Sequence, residues 1–318
     1  MINAGIATEA EILKWDDLIE RSLNGTIFHR LRFLAYHKDR FYRNERHLVF
    51  RKGTVPVALM SLLVDPVSLV AKSPYGGSYG GVVFLVRPDF GLSEGVAHAL
   101  VAWLNQQQVI ELTITQPVNI CSDVSQDIFI FCLMKQGFAV VNRDITSYVD
   151  MQRDSDVFNI IGGRARNMYR KAERSGLSIK NNCGLDDFWP VLLRGFAKHG
   201  TLPTHGYDDL HYLMKSFPDF ITFHVAEYNG LVVAGLCEFV INDKLNSSFY
   251  FAQDADYQNL QGLTFLVVDS LQRAHGKFKF YDFGTSTVNM EAREGVFKFK
   301  ESFGAEGGFR ESLRWSAH

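Results

Sequence analysis

One order of elements occurs twice along the 318-residue chain, and that repetition constrains the fold more than any single motif does. Residues 47–50, a turn at Lys52-Gly53 and residues 55–64 read as a β-hairpin. Residues 220–227, the turn Asn229-Gly230 and residues 231–241 read as a second. Each hairpin is followed by a further strand (82–86; 245–253), an amphipathic helix (Ser93 as N-cap, through Gln107; 262–275) and a buried strand (109–115; 278–283). Identity between the halves is slight, so the pattern repeats rather than the residues. The order implies an α+β domain present twice, at 1–152 and 153–318, each a mixed, mostly antiparallel sheet flanked by helices.

The remaining segments fit around these repeats. Leu13, Trp15, Leu18 and Ile19 share one helical apolar face, and residues 33–42 carry another. Pro56 places an edge or a bulge in the first hairpin. Residues 129–136 read as a short helix and 138–151 as a strand. Asp154-Ser-Asp starts a helix that runs to Ser175-Gly176 and that Gly162-Gly163 can break early. A strand at 177–180, helices at 186–199, 207–217 and 296–302, and a strand at 309–315 complete the prediction.

Composition removes several classes of function. A hydrophobic content of 47% supplies packed interiors, and a net charge of −2 offers no global basic field, so DNA is not an expected partner. Cys121, Cys132, Cys183 and Cys237 have no Cys-x-x-Cys spacing and read as reduced, buried thiols. His199, His205, His211 and His224 are scattered, so no metal site is expected. No Gly-x-Ser-x-Gly elbow occurs, and no cysteine has an evident base partner, which disfavours a covalent nucleophile. The first twenty residues lack a basic start followed by an apolar run, and no stretch approaches the ~20 apolar residues of a membrane span. A soluble cytoplasmic protein is expected, with peripheral contact at the inner membrane left open.

Several local patterns carry candidate chemistry. In Arg164-Ala-Arg-Asn-Met-Tyr-Arg-Lys-Ala-Glu-Arg174, residues Ile161, Ala165, Met168, Tyr169 and Ala172 form a core stripe, and Arg166, Arg170 and Arg174 recur at four-residue spacing. Guanidinium groups in that array suit a phosphate or carboxylate; a solvated face is the plain alternative. The 73–81 loop has glycines that let backbone approach a ligand, and Tyr75 and Tyr79 that can stack or donate; a tight inter-strand connection is the alternative. Tyr250 is a third aromatic candidate for substrate contact. Gln261, Gly262 and Thr264 open a helix whose N-terminus can receive a phosphate. Asp282-Phe283-Gly284 matches a kinase triplet without its companion motifs, so it reads as a strand end with Asp282 accepting from the following loop, or as a ligand for an amine. Lys300, in Phe299-Lys300-Glu301-Ser302-Phe303-Gly304, can supply positive charge where an acyl-transfer intermediate develops negative charge.

The succession Arg-x-Arg-x-x-x-Arg-Lys-Ala-Glu-x-x-Gly (164–176), the Asn-Gly hairpin with Val-Ala-Gly, Tyr-Asp-Phe-Gly (281–284) and Phe-Lys-x-x-Phe-Gly (299–304) resembles the FemAB-like branch of the GNAT acyltransferases, relatives of the peptidoglycan-bridge aminoacyl transferases. The resemblance covers 154–315 well and 28–151 more weakly, where Ser78-Tyr79-Gly80-Gly81 fits the first domain. It implies two tandem GNAT-like domains with a cleft between them and transfer of an acyl or aminoacyl group to an amine. By resemblance, Lys300 with backbone at Phe299 stabilises the oxyanion, and Arg164, Arg166 and Arg170 contact an anionic acceptor such as a nucleotide-linked sugar or muropeptide. Asp282 and Glu238 are candidates for the base. Two departures stand out. Residues 186–217 have room for two short helices only, so a tRNA-gripping coiled-coil arm is not expected and tRNA is disfavoured as a partner. The Gln/Arg-x-x-Gly-x-Gly/Ala pattern of acetyl-CoA enzymes is not clean in 257–264. The expectation is an N-acyltransferase acting on a cell-envelope or polysaccharide precursor, with acyl-CoA as co-substrate and no permanently bound cofactor. The alternatives are an armless tRNA-dependent aminoacyl transferase and a non-catalytic binding module.

Overall fold

The computed structural model describes residues 1–41, 43–198 and 200–317; Tyr42 and His199, which fall in two of the predicted helical segments, lie outside the described residues. The chain divides into two compact units, residues 1–144 with 309–318, and residues 145–308.

In the first unit, strands β1 (Ile2–Ile6), β2 (Glu45–Lys52), β3 (Val55–Val64), β4 (Val70–Ser73), β5 (Gly81–Phe84) and β6 (Glu111–Thr115) precede β7 (Ala139–Asp150), within which the chain enters the second unit. β1 through β4 pair antiparallel in sequence order, β5 lies on β3, and β4 pairs parallel to β6. The helix Phe90–Gln106 connects the parallel pair. Leu48, Phe50, Met60, Phe84, Leu100 and Phe129 are among the buried residues of its core. The first helical face divides at Lys14 into two short helices. They bury Trp15 and Ile19 but leave Leu13 86% exposed, because Leu13 ends one helix rather than continuing the apolar stripe.

The second unit repeats this plan. β8 (Ser178–Cys183), β9 (Ile221–Tyr228), β10 (Leu231–Val240) and β11 (Leu245–Gln253) pair antiparallel in order, and β11 pairs parallel to β12 (Phe280–Thr285). The helix Gly262–Ala274 makes the crossover. A two-stranded hairpin, β13 (Thr287–Val288) and β14 (Glu291–Ala292), leads into the helix Glu294–Glu301 and then β15 (Glu306–Ser316). β15 pairs with β6 through 312–316, and β7 pairs with β12 through 146–150. Each unit therefore takes one strand from the segment that follows the other unit's parallel pair. This is why the division falls at Asp144/Ile145 and returns residues 309–318 to the first unit, rather than falling at the expected 152/153.

Local chemistry accounts for most boundaries. Asn229 and Gly230 both have positive φ (50° and 78°), as a two-residue hairpin turn requires. The register of β2 and β3 shifts between Phe50 and Arg51, opposite Pro56, giving the bulge its ring implies. Gly162 breaks the long helical pattern into Val157–Ile160 and Gly163–Arg174. The helix of the first unit begins earlier than Ser93 suggests: Asp89 is the N-cap and accepts from Leu92 N, while Ser93 is buried in the first turn. The strand β1 has no counterpart in the sequence-based expectation; it is held by backbone pairing to β2 along five residues.

The glycine of Phe-Lys-x-x-Phe-Gly has a steric role. Gly304 has φ +80°, and a Cβ there would stand 2.4 Å from Ile160 O. Gly53 has φ +62° with nothing near its missing Cβ. Gly304→Ala therefore carries both a left-handed backbone penalty and a clash, roughly 2–4 kcal/mol, against roughly 1 kcal/mol for Gly53→Ala. Denaturant midpoints of the two variants check this; equal losses would mean that the contact at Ile160 relaxes freely.

Candidate active site

The site begins where a parallel pair fails to continue. β11 and β12 are in register only at Leu245–Phe280, Asn246–Tyr281 and Ser247–Asp282; beyond them the strands part. Aromatic side chains occupy the divergence. Phe251 of β11 lies 6.2 Å from Phe283 of β12 and 6.2 Å from Phe299, and Phe303 packs on Phe299 at 5.0 Å. Phe299 and Phe303, four residues apart, sit at the end of the helix Glu294–Glu301, which docks its apolar face into the wedge.

Between them Lys300 turns inward. It is 4% exposed, and its Nζ donates to Gly284 O at 2.8 Å and Thr285 O at 2.7 Å. These carbonyls lie at the end of β12, where Gly284 takes φ +71°. An ammonium has three donors, so two close the strand end and one remains. Burial lowers the Lys300 pKa to about 8, opposed by the negative charge of Asp282. The Phe299 amide lies past the first turn of its helix, where N–H groups bond the carbonyl four residues back. What Phe299 brings to the site is its ring, not a free oxyanion donor.

A cavity of about 410 Å³ adjoins this wedge, and it is lined within the second unit by Arg164, Gln261, Thr264, Lys298, Phe299 and Ser302, among others. Two helices begin there. Gly163–Arg174 has Gly162 as N-cap, no capping side chain and no acidic residue in its first turn. Gly262–Ala274 likewise has no capping side chain and no acid in its first turn; its N-cap, Gln261, takes φ +63°. The glycine of the acetyl-CoA pattern would suit that conformation, and Gln261 adopts it without one. Uncapped N-termini present N–H groups and partial positive charge, so a cavity served by two of them plus Arg164 favours an anion. A backbone clasp holds the walls together: Gly162 N donates to Ser302 O at 2.8 Å, and Arg153 Nη2 donates to Ile160 O at 2.9 Å.

The other sequence candidates lie elsewhere. Arg166 donates to Phe158 O and so ties its helix to the short one before it, and Arg170 is exposed; neither lines this cavity. A step of two residues along a helix turns a side chain by about 200°, which separates Arg166 from Arg164. Tyr75 and Tyr79 are buried in the first unit, Tyr79 against Phe28 and under the Arg310 guanidinium at 5.2 Å. Tyr250 is buried with its hydroxyl 2.7 Å from His205 Nδ1. Gly262 packs close to Ala234, where a Cβ would stand 3.1 Å from the alanine Cβ. Lys298, Gln253 and Gln258 line cavities of this unit and were not anticipated. Lys298 stands two residues from Lys300 in the recognised motif; the glutamines carry no local signal.

Both carboxylates proposed as bases are scaffold. Asp282 accepts from Thr146 Oγ1 (2.6 Å), Ser247 Oγ (3.1 Å) and Gly284 N (3.0 Å). Glu238, 2% exposed, meets Asn246 Nδ2 (2.7 Å), Tyr281 OH (3.0 Å), His224 Nε2 (2.9 Å), Arg273 (2.7 Å) and Ser270 Oγ. Burial alone would raise its pKa, but bonds from His224 and Ser270 and the charge of Arg273 outweigh burial and hold it at about 2. A base that weak has little drive to take a proton near neutral pH. Among the described residues no cluster of His, Cys, Asp or Glu is placed to hold a metal, and no helix is long and apolar enough to cross a membrane.

Two titrations follow. Glu238 stabilises the fold in full above its ordinary pKa of 4.5, and that contribution is lost as pH falls toward about 2. Glu238→Gln, which removes the buried charge facing Arg273 and His224 while Arg273 keeps Asp269, should cost roughly 3 kcal/mol at pH 7 and flatten that acid limb in denaturation curves. Lys300 gives a slope of the same sign in a higher window: between about 8 and 10.5 the unfolded chain binds more protons than the fold, so the cost of burying the ammonium, full below about 8, is relieved and stability from this group rises with pH. Lys300→Met should remove the rise; an unchanged slope would show that the ammonium is not desolvated.

No family model and no curated protein matches the sequence. Solved structures do match the fold. FemX superposes with a TM-score of 0.73 at 12% identity, covering 99% of this chain and 97% of that one. L-PGS from Bacillus licheniformis gives 0.57 at 13% identity, covering 91% of each chain. A tandem GNAT protein from the clavulanic acid biosynthesis pathway gives 0.57 at 12% identity, covering 100% of this chain and 98% of that one. The chain has the tandem GNAT fold, shared with FemX.

Proposed function

We propose that the second unit carries an N-acyltransferase site. The observation behind this reading is the pair of uncapped helix N-termini that, with Arg164, open on a cavity walled by the helix that bears Lys300. The anionic part of an activated donor, a phosphate of a CoA thioester in this reading, sits between the helix starts, held by Arg164 and the amides near Gln261, Gly262 and Thr264. The strand divergence at Phe251 and Phe299 then receives the acyl carbonyl.

Transfer proceeds by attack of a neutral amine nitrogen on that carbonyl. The C–N bond forms, an oxyanion develops, and the C–S bond breaks as the thiolate leaves with the amine's proton, directly or through water. The remaining Lys300 donor stabilises the oxyanion. No carboxylate lines the cavity among the described residues, so the acceptor must arrive already neutral. The acceptor class in this reading is an amine of a cell-envelope or polysaccharide precursor. The match to FemX over 99% of the chain supports a second reading in which the donor is an aminoacyl ester. The segment that would hold a tRNA-gripping arm contains only the helices Leu185–Ala197 and Tyr207–Ser216, which favours the thioester.

Thermal-shift titration with CoA thioesters and with aminoacyl-tRNA separates the donors, since a ligand of the folded state raises apparent stability. With the responding donor, Lys300→Ala should lower turnover ~100- to 1000-fold, and Arg164→Gln should raise KM for the donor about 10-fold. Unchanged turnover in Lys300→Ala would remove the lysine from the chemistry and favour a binding module.

A further inference from the structure

A second cavity, about 640 Å³, meets the first at Gln253 and Gln258. Its floor is apolar, formed by Phe196, Phe251 and Leu263, and two cations stand on its lining, Lys198 and Arg293. Neither side chain has a carboxylate partner among the described residues, and no carboxylate lines either cavity. Lys198 is the C-cap of its helix, where a cation suits the dipole. Arg293 has no such account. It is the N-cap of Glu294–Glu301, the position where a cation is least favoured, and its guanidinium caps nothing. A residue that opposes its local preference and lines a cavity unpaired points to a ligand.

We infer that this second cavity binds the amine acceptor, and that the part of the acceptor it holds is a small amphipathic carboxylate: an amino acid or dipeptide unit with an apolar side chain. The inference rests on the transferase reading for the word acceptor, but the binding chemistry stands by itself. The planar fork of Arg293 matches a carboxylate, and Lys198 adds a second positive charge. Phe196, Phe251 and Leu263 cover an apolar side chain. The volume lies within the range of small-ligand sites. Phe251 faces this cavity and lies 6.2 Å from Phe299, which faces the first. An amine held against Phe251 therefore lies at the strand divergence, where the donor carbonyl is placed.

Calorimetric titration of the whole chain with phenylalanine and with alanylphenylalanine tests the binding. At least one should bind, and its carboxamide counterpart should bind about 10-fold more weakly, the loss of one charge-assisted contact. Glycine should bind at least as weakly as the carboxamide, and Arg293→Gln should weaken the carboxylate to the level of the carboxamide. Arg293 is exposed, so that variant should fold, which its melting temperature verifies. Absence of binding by both probes, equal affinity for acid and amide, or an unaltered Arg293→Gln would overturn the inference. Binding with no transfer from any donor would sink the transferase reading and leave this site standing. Transfer to amines with and without a carboxylate at equal kcat/KM would do the reverse.

Discussion

Everything at the candidate site depends on the parting of β11 from β12 after three paired residues. A parallel pair that continued would bond its carbonyls to its neighbour and leave no opening. Once the strands separate, the backbone of β12 loses its partner on that side, and buried carbonyls must be satisfied by something else. Lys300 supplies donors to Gly284 O and Thr285 O. The lysine is thus first a structural answer to an interrupted sheet, and its third donor is a by-product of that answer.

The root of the divergence is fixed from both faces of β12 by neighbouring residues. Tyr281 joins the Glu238 cluster toward the helix Gly262–Ala274, while Asp282 bonds Ser247 and Thr146 across the adjacent strands. Buried polar groups tolerate few alternative arrangements once every partner is engaged. Glu238 and Asp282 are in this way held rigidly by their own partners.

The sequence made the periodic part of the fold legible. β11 spans 245–253 as read, the Asn229-Gly230 turn formed where it was expected, and the duplicated strand–helix–strand order recurs as two matching strand sets. Those features are set by neighbours a few residues apart. Ser93 lost the N-cap to Asp89 because both are good caps and only packing chooses between them. Within the site, Lys300, Phe299, Arg164, Gln261 and Thr264 carried signals in motifs or helix starts. Arg166 shared the charge pattern of Arg164, and a carbonyl of the preceding turn captured it. Gln253, Gln258 and Arg293 were silent, since their meaning lies in residues brought together from distant positions.

The walls of the first cavity come from positions 164, 261 and 299, joined at their margin by the bond from Gly162 N to Ser302 O. No short stretch of chain contains the cavity, so it exists only when well over a hundred residues are folded together. A molecule lodged there acts as a reversible cross-link between the start and the end of the second unit. It adds a closure beside the β7–β12 pairing that already joins the two ends, and its departure leaves that pairing, packing and the clasp.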